Sequence, residues 1–156
     1  MPDMLVKLYE LPDPALLVQN LSDAGITIRR VMPYEKQKCL DWVGENFSDG
    51  WMSECDVSFS NNPCSSFIAT ENSTIIGFAS YDSTNKNFFG PTGVSESARG
   101  RGVGKALLLV ALQAMKDNGY AYAIIGGVGP KEFYAKAVGA IEIEGSVPGI
   151  YRDPLS

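Results

Sequence analysis

Histidine is absent from the 156 residues. Without an imidazole, no Ser-His or Cys-His nucleophile pair can be assembled, so any catalysis has to use other groups. Cysteine is scarce: Cys39, Cys55 and Cys64 form an odd set with no CxxC spacing. The usual zinc frameworks are therefore out of reach and no metal is expected, leaving free thiols in a reducing compartment. Positive charge is in the minority, with 13 Lys+Arg against 18 Asp+Glu and a formal charge of −5. That balance counts against a general nucleic-acid binder and weakly favours a cationic small partner. No apolar run approaches the roughly 18 residues that cross a bilayer. The start, Met1-Pro2-Asp3-Met4-Leu5, lacks the basic region and apolar stretch of a secretory leader. A cytoplasmic protein, with neither membrane nor nucleic acid among its partners, is the expectation.

What is present fits one domain spanning residues 1–156, since domains run to roughly 100–200 residues. Apolar residues make up 45% and charged residues 20%, ordinary globular usage that excludes disorder and coiled coil. Residues 1–25 read as an accessory arm, punctuated by Pro2, Pro12 and Pro14, in which Asp13 caps a short helix carrying Leu16, Leu17 and Leu21 on one side. Ile26 to Met32 is β-branched and predicts a first strand. Glu35 to Phe47 places Cys39, Leu40, Trp42, Val43 and Phe47 at helical spacing, and a further short helix is expected within Trp51 to Asn62. Residues 66–70 and 74–81 flank a polar turn and predict an antiparallel hairpin. The next strand, Phe88 to Val94, contains Gly90, Pro91 and Gly93, so it must carry a bulge or leave one edge free.

Val103 to Lys116 is apolar on almost every side and predicts a helix buried from several directions. Tyr120 to Val128 then reads as a strand covered on both faces, with Pro130 opening another helix before a last strand at Ile141-Glu142-Ile143. The stretch from Val94 to Tyr120 is long enough for a right-handed parallel crossover. The expected class is α/β (α+β): a mixed, mostly antiparallel sheet flanked by helices. The tail, residues 145–156, is rich in Gly and Pro with apolar anchors. It can close over a cleft or pack on the sheet edge.

The chemistry concentrates in Val94-Ser95-Glu96-Ser97-Ala98-Arg99-Gly100-Arg101-Gly102-Val103-Gly104-Lys105-Ala106, where glycines separate an extended segment from a helix start. The first amides of a helix lack intrahelical partners and carry the positive end of its dipole, so such a junction can cradle a pyrophosphate. Glycine lets phosphates approach the backbone, and Arg99, Arg101 and Lys105 add positive charge. A Walker A loop would need glycine at Arg99 and Ser or Thr at Ala106, and a dinucleotide fingerprint would need glycine at Lys105. Neither rival fits.

These residues resemble the GNAT superfamily of acyl-CoA-dependent N-acetyltransferases. The family signature Arg/Gln-x-x-Gly-x-Gly/Ala reads here as Arg99-Gly100-Arg101-Gly102-Val103-Gly104, with Val94 upstream; a second element reads Phe133-Tyr134-Ala135-Lys136 with Gly139. The resemblance covers residues 26–145. It implies a central pair of parallel strands that splay, and acetyl-CoA (coenzyme A) as acyl donor. The pyrophosphate would dock on the amides of Arg101 to Lys105 and the pantetheine arm would lie along Gly93-Val94-Ser95. The expected cofactor-binding set is Gly93, Val94, Ser95, Arg99, Gly100, Arg101, Gly102, Val103, Gly104, Lys105, Ala106 and Phe133. An N–H on the strand before the loop could polarise the thioester carbonyl.

Tyr134 is the candidate acid for the departing thiolate, its alternative being a plain core aromatic. Many relatives place a glutamate base on the strand before the loop, whereas this chain has Phe88, Phe89, Gly90, Pro91 and Thr92 there, and Glu96 where the family commonly has proline. A water relay, a carboxylate from elsewhere (Glu54, Asp56 or Asp82) and an amine arriving deprotonated all stay open. Phe47 to Phe59, with Asp49, Trp51, Glu54 and Asp56, can cradle an ammonium group or simply fill core and surface. The expected activity is acetyl transfer to a primary amine of a small molecule by direct attack in a ternary complex. The rivals are a protein N-terminus or lysine as acceptor, and a non-catalytic acyl-CoA-binding sensor. Acetyl-CoA and an amine are thus the expected partners, with a homodimer also allowed.

Overall fold

The computed structural model describes residues 1–156. In chain order the elements are β1 (Met4–Lys7), α1 (Ala15–Asp23), β2 (Ile26–Arg30), α2 (Lys36–Asn46), α3 (Asp49–Ser58), β3 (Ser66–Glu71), β4 (Thr74–Tyr81), β5 (Phe88–Val94), α4 (Val103–Asp117), β6 (Tyr122–Ile125), α5 (Lys131–Val138) and β7 (Ile141–Glu142). The strands form a single sheet in the order β2-β3-β4-β5-β6-β1-β7. Neighbours are antiparallel except β5 and β6, which run parallel through the α4 crossover.

One expectation needs correction. Residues 1–25 do not stand apart as an accessory arm, because Met4–Lys7 is an interior strand of the sheet. It pairs with β6 from Met4↔Ile125 to Lys7↔Tyr122, and with β7 at Met4↔Glu142 and Leu5↔Ile141. A strand of four residues between prolines is too short to display an alternating pattern, yet Met4 and Val6 point inward and are buried. The neighbouring chain reinforces the joint. The Val128 N–H donates to Pro2 O at 2.8 Å, and the Gly127 N–H donates to the buried Asp3 carboxylate at 2.9 Å. Asp13 Oδ1 accepts from the Ala15 N–H at the start of α1, as the spacing predicts. Of the leucines placed on one face of that helix, however, Leu16 is exposed, and only Leu21 is fully buried.

Strand alternation divides the interior. Phe67 and Ala69 of β3 join the larger cluster with Leu107, Leu108 and Leu112 of α4, while Ile68 joins Phe78, Cys39, Val43 and Cys55 beneath α2 and α3. The helix α4 sits tightly on β4: a Cβ at Gly77 would lie 2.9 Å from Leu107 Cδ1, so only glycine allows this approach. Under α2 and α3 the three thiols are free and buried, and polar groups there are paired. Ser66 Oγ lies 2.6 Å from both Ser58 Oγ and Ser80 Oγ, and Ser58 donates to Cys55 O.

The expected irregularity of the fifth strand is present. Ala79 faces Thr92 and Tyr81 faces Phe89, so Gly90 and Pro91 together oppose Ser80 alone, the arrangement of a bulge. Its parallel partnership with β6 is brief, with Phe88↔Ile124 and Phe89↔Ile125 as its register. Beyond Phe89, β5 stays with β4 while the chain after Ile125 turns off through Gly126-Gly127, and the two strands part.

Leu8 is fully buried directly after β1 and packs in the larger cluster. Leu8→Ala is expected to cost about 2–5 kcal/mol in urea unfolding; a loss under about 0.5 kcal/mol, of the size seen for surface positions, would show that the N-terminal segment is not structural.

Candidate active site

The parting of β5 and β6 opens a cleft of about 720 Å³. Phe88, Phe89 and Pro91 line one wall and Ile125 to Pro130 the other. Tyr134 reaches it from α5, Trp51 and Glu54 from α3, and Val147, Pro148 and Tyr151 from the tail. A second hollow of about 810 Å³ lies over the β2–β3 edge. That one is shallow in chemistry: its Arg29 and Glu35 are locked together by paired hydrogen bonds of 2.8 and 2.7 Å, and it is remote in the sheet order from the β5–β6 opening.

The glycine loop approaches from the other side of β5. Gly100 and Gly102 take φ of +79° and +83°, and Gly102 caps α4 in the left-handed conformation that favours glycine. The first backbone bond of α4 is Ala106 N–H to Gly102 O at 3.0 Å. The amides of Arg101, Gly102, Val103, Gly104 and Lys105 therefore donate to no carbonyl, and they point out of the positive end of a fifteen-residue helix. Just past the end of β5, before the loop, Ser95 Oγ is buried without a hydrogen-bond partner. Such orphaned donors suit an anion with several oxygens.

Three expected site residues sit differently from the sequence reading. Arg101 turns away from the amides and forks onto Glu71 at 2.7 and 3.1 Å. The pair holds Glu71 below and Arg101 above their ordinary pKa values, and Glu71 offsets the charge Arg101 was expected to bring. Arg99 and Lys105 remain exposed at the loop. Ala106 is fully buried in the core and its amide is spent on the helix, so it has nothing to offer a ligand; Val103 is also buried, leaving its amide alone available. Phe133 is exposed on the outer side of α5, edge-on to Tyr134 with centroids 5.1 Å apart, and lies outside the cleft. Gly93 is required for packing: a Cβ there would collide with the Phe47 ring.

Tyr134 is buried at 7% exposure yet borders the cleft. Burial alone pushes its phenol pKa up, with no charge or hydrogen bond contributing. Among the carboxylates left open by the sequence, the structure separates three fates. Asp56 pairs with Lys36 at 2.9 Å on the surface, and Asp82 accepts from the Asn87 N–H at 2.8 Å and the Tyr120 hydroxyl at 3.2 Å. Glu54 borders the cleft, with Thr84 Oγ1 donating to its Oε1 at 2.9 Å. Sequence reasoning did not single out Asp3 or Thr84, because their roles arise from long-range contact. Tyr151 had only the apolar character of the tail to mark it. Its phenol pKa is raised by burial first and by the nearby Asp3 and Glu54 charges second.

The model of the acetyltransferase (GNAT) family matches residues 32–139. The chain belongs to the GNAT family. No curated protein sequence matches it, but solved structures share its fold. One is the GCN5-related glucosamine N-acetyltransferase region of a fungal multi-domain GH3 β-N-acetylglucosaminidase (TM-score 0.73, 17% identity, 91% of this chain and 19% of that one). Others are GCN5-related N-acetyltransferases of Sphaerobacter thermophilus (0.65, 20%, 91% and 48%) and Kribbella flavida (0.58, 17%, 90% and 53%). The chain thus spans between a fifth and about half of the length of these proteins. The GNAT fold, with its mostly antiparallel sheet and one parallel pair, is the one the sequence led us to expect.

Because burial disfavours the charged phenolate, Tyr134 should stay protonated well beyond neutrality. A tyrosinate absorbance titration of wild type minus Tyr134→Phe is expected to show no difference signal below the ordinary tyrosine pKa of about 10; a transition near pH 8 would mean an ionised phenol and a different role.

Proposed function

We propose that this protein transfers the acetyl group of acetyl-CoA to a primary amine of a small molecule, by direct attack in a ternary complex. The observation that carries the reading is that β5 links two features: the cleft where it parts from β6, bordered by the buried phenol of Tyr134, and the unpartnered amides at the start of α4, where Gly104 lies against Val94 at the end of the strand. Membership of the GNAT family supports acetyl transfer and acetyl-CoA as its donor.

The residues present fit that donor. The amides of Arg101 to Lys105 would hold a pyrophosphate, helped by Arg99 and Lys105, and the unpartnered Ser95 Oγ at the end of β5 is a further free hydroxyl. Acetyl-CoA supplies a thioester, whose carbonyl carbon is the electrophile and whose sulfur leaves. Ser95 N–H bonds to Ile76 O across the β4–β5 ladder, so by alternation the Val94 amide faces the opposite way, toward the parted side. A fixed dipole there would stabilise charge growing on a carbonyl oxygen. Tyr134 keeps its proton until a stronger base arrives, which suits it to protonate a departing thiolate.

The small-molecule preference is supported by the tail. Val147, Pro148 and Tyr151 wall the acceptor side of the cleft, and a Cβ at Gly126 would strike the Tyr151 hydroxyl. This leaves less room for a polypeptide than an open groove would.

Incubation with acetyl-CoA and a panel of amines, reading released thiol, tests the reading directly. Amine-dependent release is expected, and Tyr134→Phe should lower kcat by about 100-fold with coenzyme A affinity unchanged. Uptake of coenzyme A with no turnover on any amine would favour the sensor reading instead. On the donor side, Gly104 has an ordinary helical φ, and a Cβ there would touch only Val94 Cγ2 at 3.5 Å. Helical side chains lean toward the N-terminus, so Gly104→Val should leave the melting temperature intact and raise the coenzyme A Kd at least about tenfold, since bulk over the amides blocks the approach that glycine permits. Unchanged affinity would place the pyrophosphate elsewhere.

A further inference from the structure

Glu54 is the only charged side chain that borders the cleft. The rest of the lining is aromatic, aliphatic, glycine or hydroxyl, and no lysine or arginine side chain reaches it. Its carboxylate is not free to wander, since Thr84 Oγ1 holds Oε1 at 2.9 Å and leaves Oε2 without a protein donor. The rings around it, Trp51, Phe88 and Tyr151, would enclose an apolar body, and both Asp3 and Glu54 make the Tyr151 end of the cleft electronegative.

We propose that Glu54 binds the ammonium of the acceptor and takes its first proton, and that the acceptor is a primary amine on an uncharged aromatic or aliphatic body. This rests on the acetyltransferase reading above and names its substrate class. An acceptor carrying a carboxylate or phosphate would meet one fixed negative charge and no lysine or arginine side chain within an apolar wall, with only the Met1 amino group at the rim to set against it, which is costly. A plain amine gains from the same arrangement by charge contact and by cation–π contact with the rings.

Glu54 takes one proton from R–NH₃⁺ and passes it to solvent. The freed nitrogen lone pair forms the C–N bond as the C–S bond breaks. Tyr134 gives its phenolic proton to the leaving sulfur, and the second nitrogen proton, shed as the amide forms, returns to the phenolate through water. The products are R–NH–CO–CH₃, coenzyme A thiol and one proton in solution. Because carboxylate plus ammonium carries the same protons as carboxylic acid plus free amine, kcat/KM under this scheme does not follow the small fraction of free amine present below the ordinary amine pKa of about 10.4.

The experiment compares 2-phenylethylamine with L-phenylalanine, the same ring and amine with a carboxylate added, in wild type, Glu54→Gln and Thr84→Val, all checked by calorimetry for coenzyme A uptake. Phenylethylamine is expected to exceed phenylalanine at least tenfold in kcat/KM; parity or reversal overturns the substrate class. Glu54→Gln should raise the KM for phenylethylamine at least tenfold, and its kcat/KM should climb about tenfold per pH unit from pH 7 to 9, tracking the free amine. Wild type should stay near level over that range. Around Glu54 the other titratable groups are Tyr134 and Tyr151 across the cleft, Asp3 beyond Tyr151, the Met1 amino group at the rim, and on its own helix Asp49, the buried Cys55 thiol and Asp56, which pairs with Lys36. All persist in Glu54→Gln, so the difference in slope belongs to Glu54. Equal slopes in the two proteins overturn the base role. Thr84→Val, which frees the carboxylate without removing it, should raise KM less than Glu54→Gln does; no change would overturn the positioning by Thr84. Should amines be acetylated with Glu54→Gln indistinguishable from wild type, this inference alone fails. Should no amine be acetylated while coenzyme A is taken up, the broader reading fails with it.

Discussion

The brevity of one strand pairing governs this molecule. β5 and β6 keep register only at Phe88↔Ile124 and Phe89↔Ile125, after which each chain follows a different neighbour. A fully zipped parallel pair would satisfy its own amides and close the sheet. Two interruptions prevent that: the Gly90-Pro91 bulge, which bends β5 and removes a donor, and the Gly126-Gly127 turn, which takes the other chain away. The cleft, the outward-facing Val94 amide and the approach of Tyr134 all depend on this separation.

The electrostatics of the loop are quieter than its sequence implies. With Arg101 committed to Glu71, attraction for an anion rests mainly on backbone amides and the α4 dipole. Arg101 instead ties the loop to the end of the β3–β4 hairpin, although an exposed pair of this kind contributes at most modestly to stability. Backbone donors fixed by a buried helix hold their aim better than flexible cations do, and α4 is buried at Leu107, Leu108, Leu112 and Met115.

Legibility tracked the range of the forces involved. The hairpin of β3 and β4, the irregular β5 and the apolar α4 were visible because turn residues, Gly/Pro punctuation and periodicity act within a few neighbours. The glycine loop with its unpartnered amides was visible for the same reason, as a contiguous stretch at a helix start. β1 was misread because four residues carry too little pattern and its partners lie near the other end of the chain. Arg101, Ala106 and Phe133 were assigned by position in a motif, which says nothing of where a side chain turns. The base stayed open in the sequence between a water relay, a carboxylate such as Glu54, Asp56 or Asp82, and an amine arriving deprotonated; of those carboxylates only Glu54 borders the cleft, which the packing of α3 against the sheet decides.

The place of β1 between β6 and β7 bears on how the chain can reach this state. Its partners are separated from it by most of the sequence, so the sheet has high contact order at this joint, and closing so long a loop is entropically slow. During synthesis Met4–Lys7 is made before its partners and must wait, unpaired, until Tyr122–Ile125 and Ile141–Glu142 have emerged. The β2 to β5 meander can assemble during that interval. The half of the sheet that completes the cleft is therefore expected to close after the meander, and the nascent chain carries an unsatisfied strand until residues 122–142 have been made.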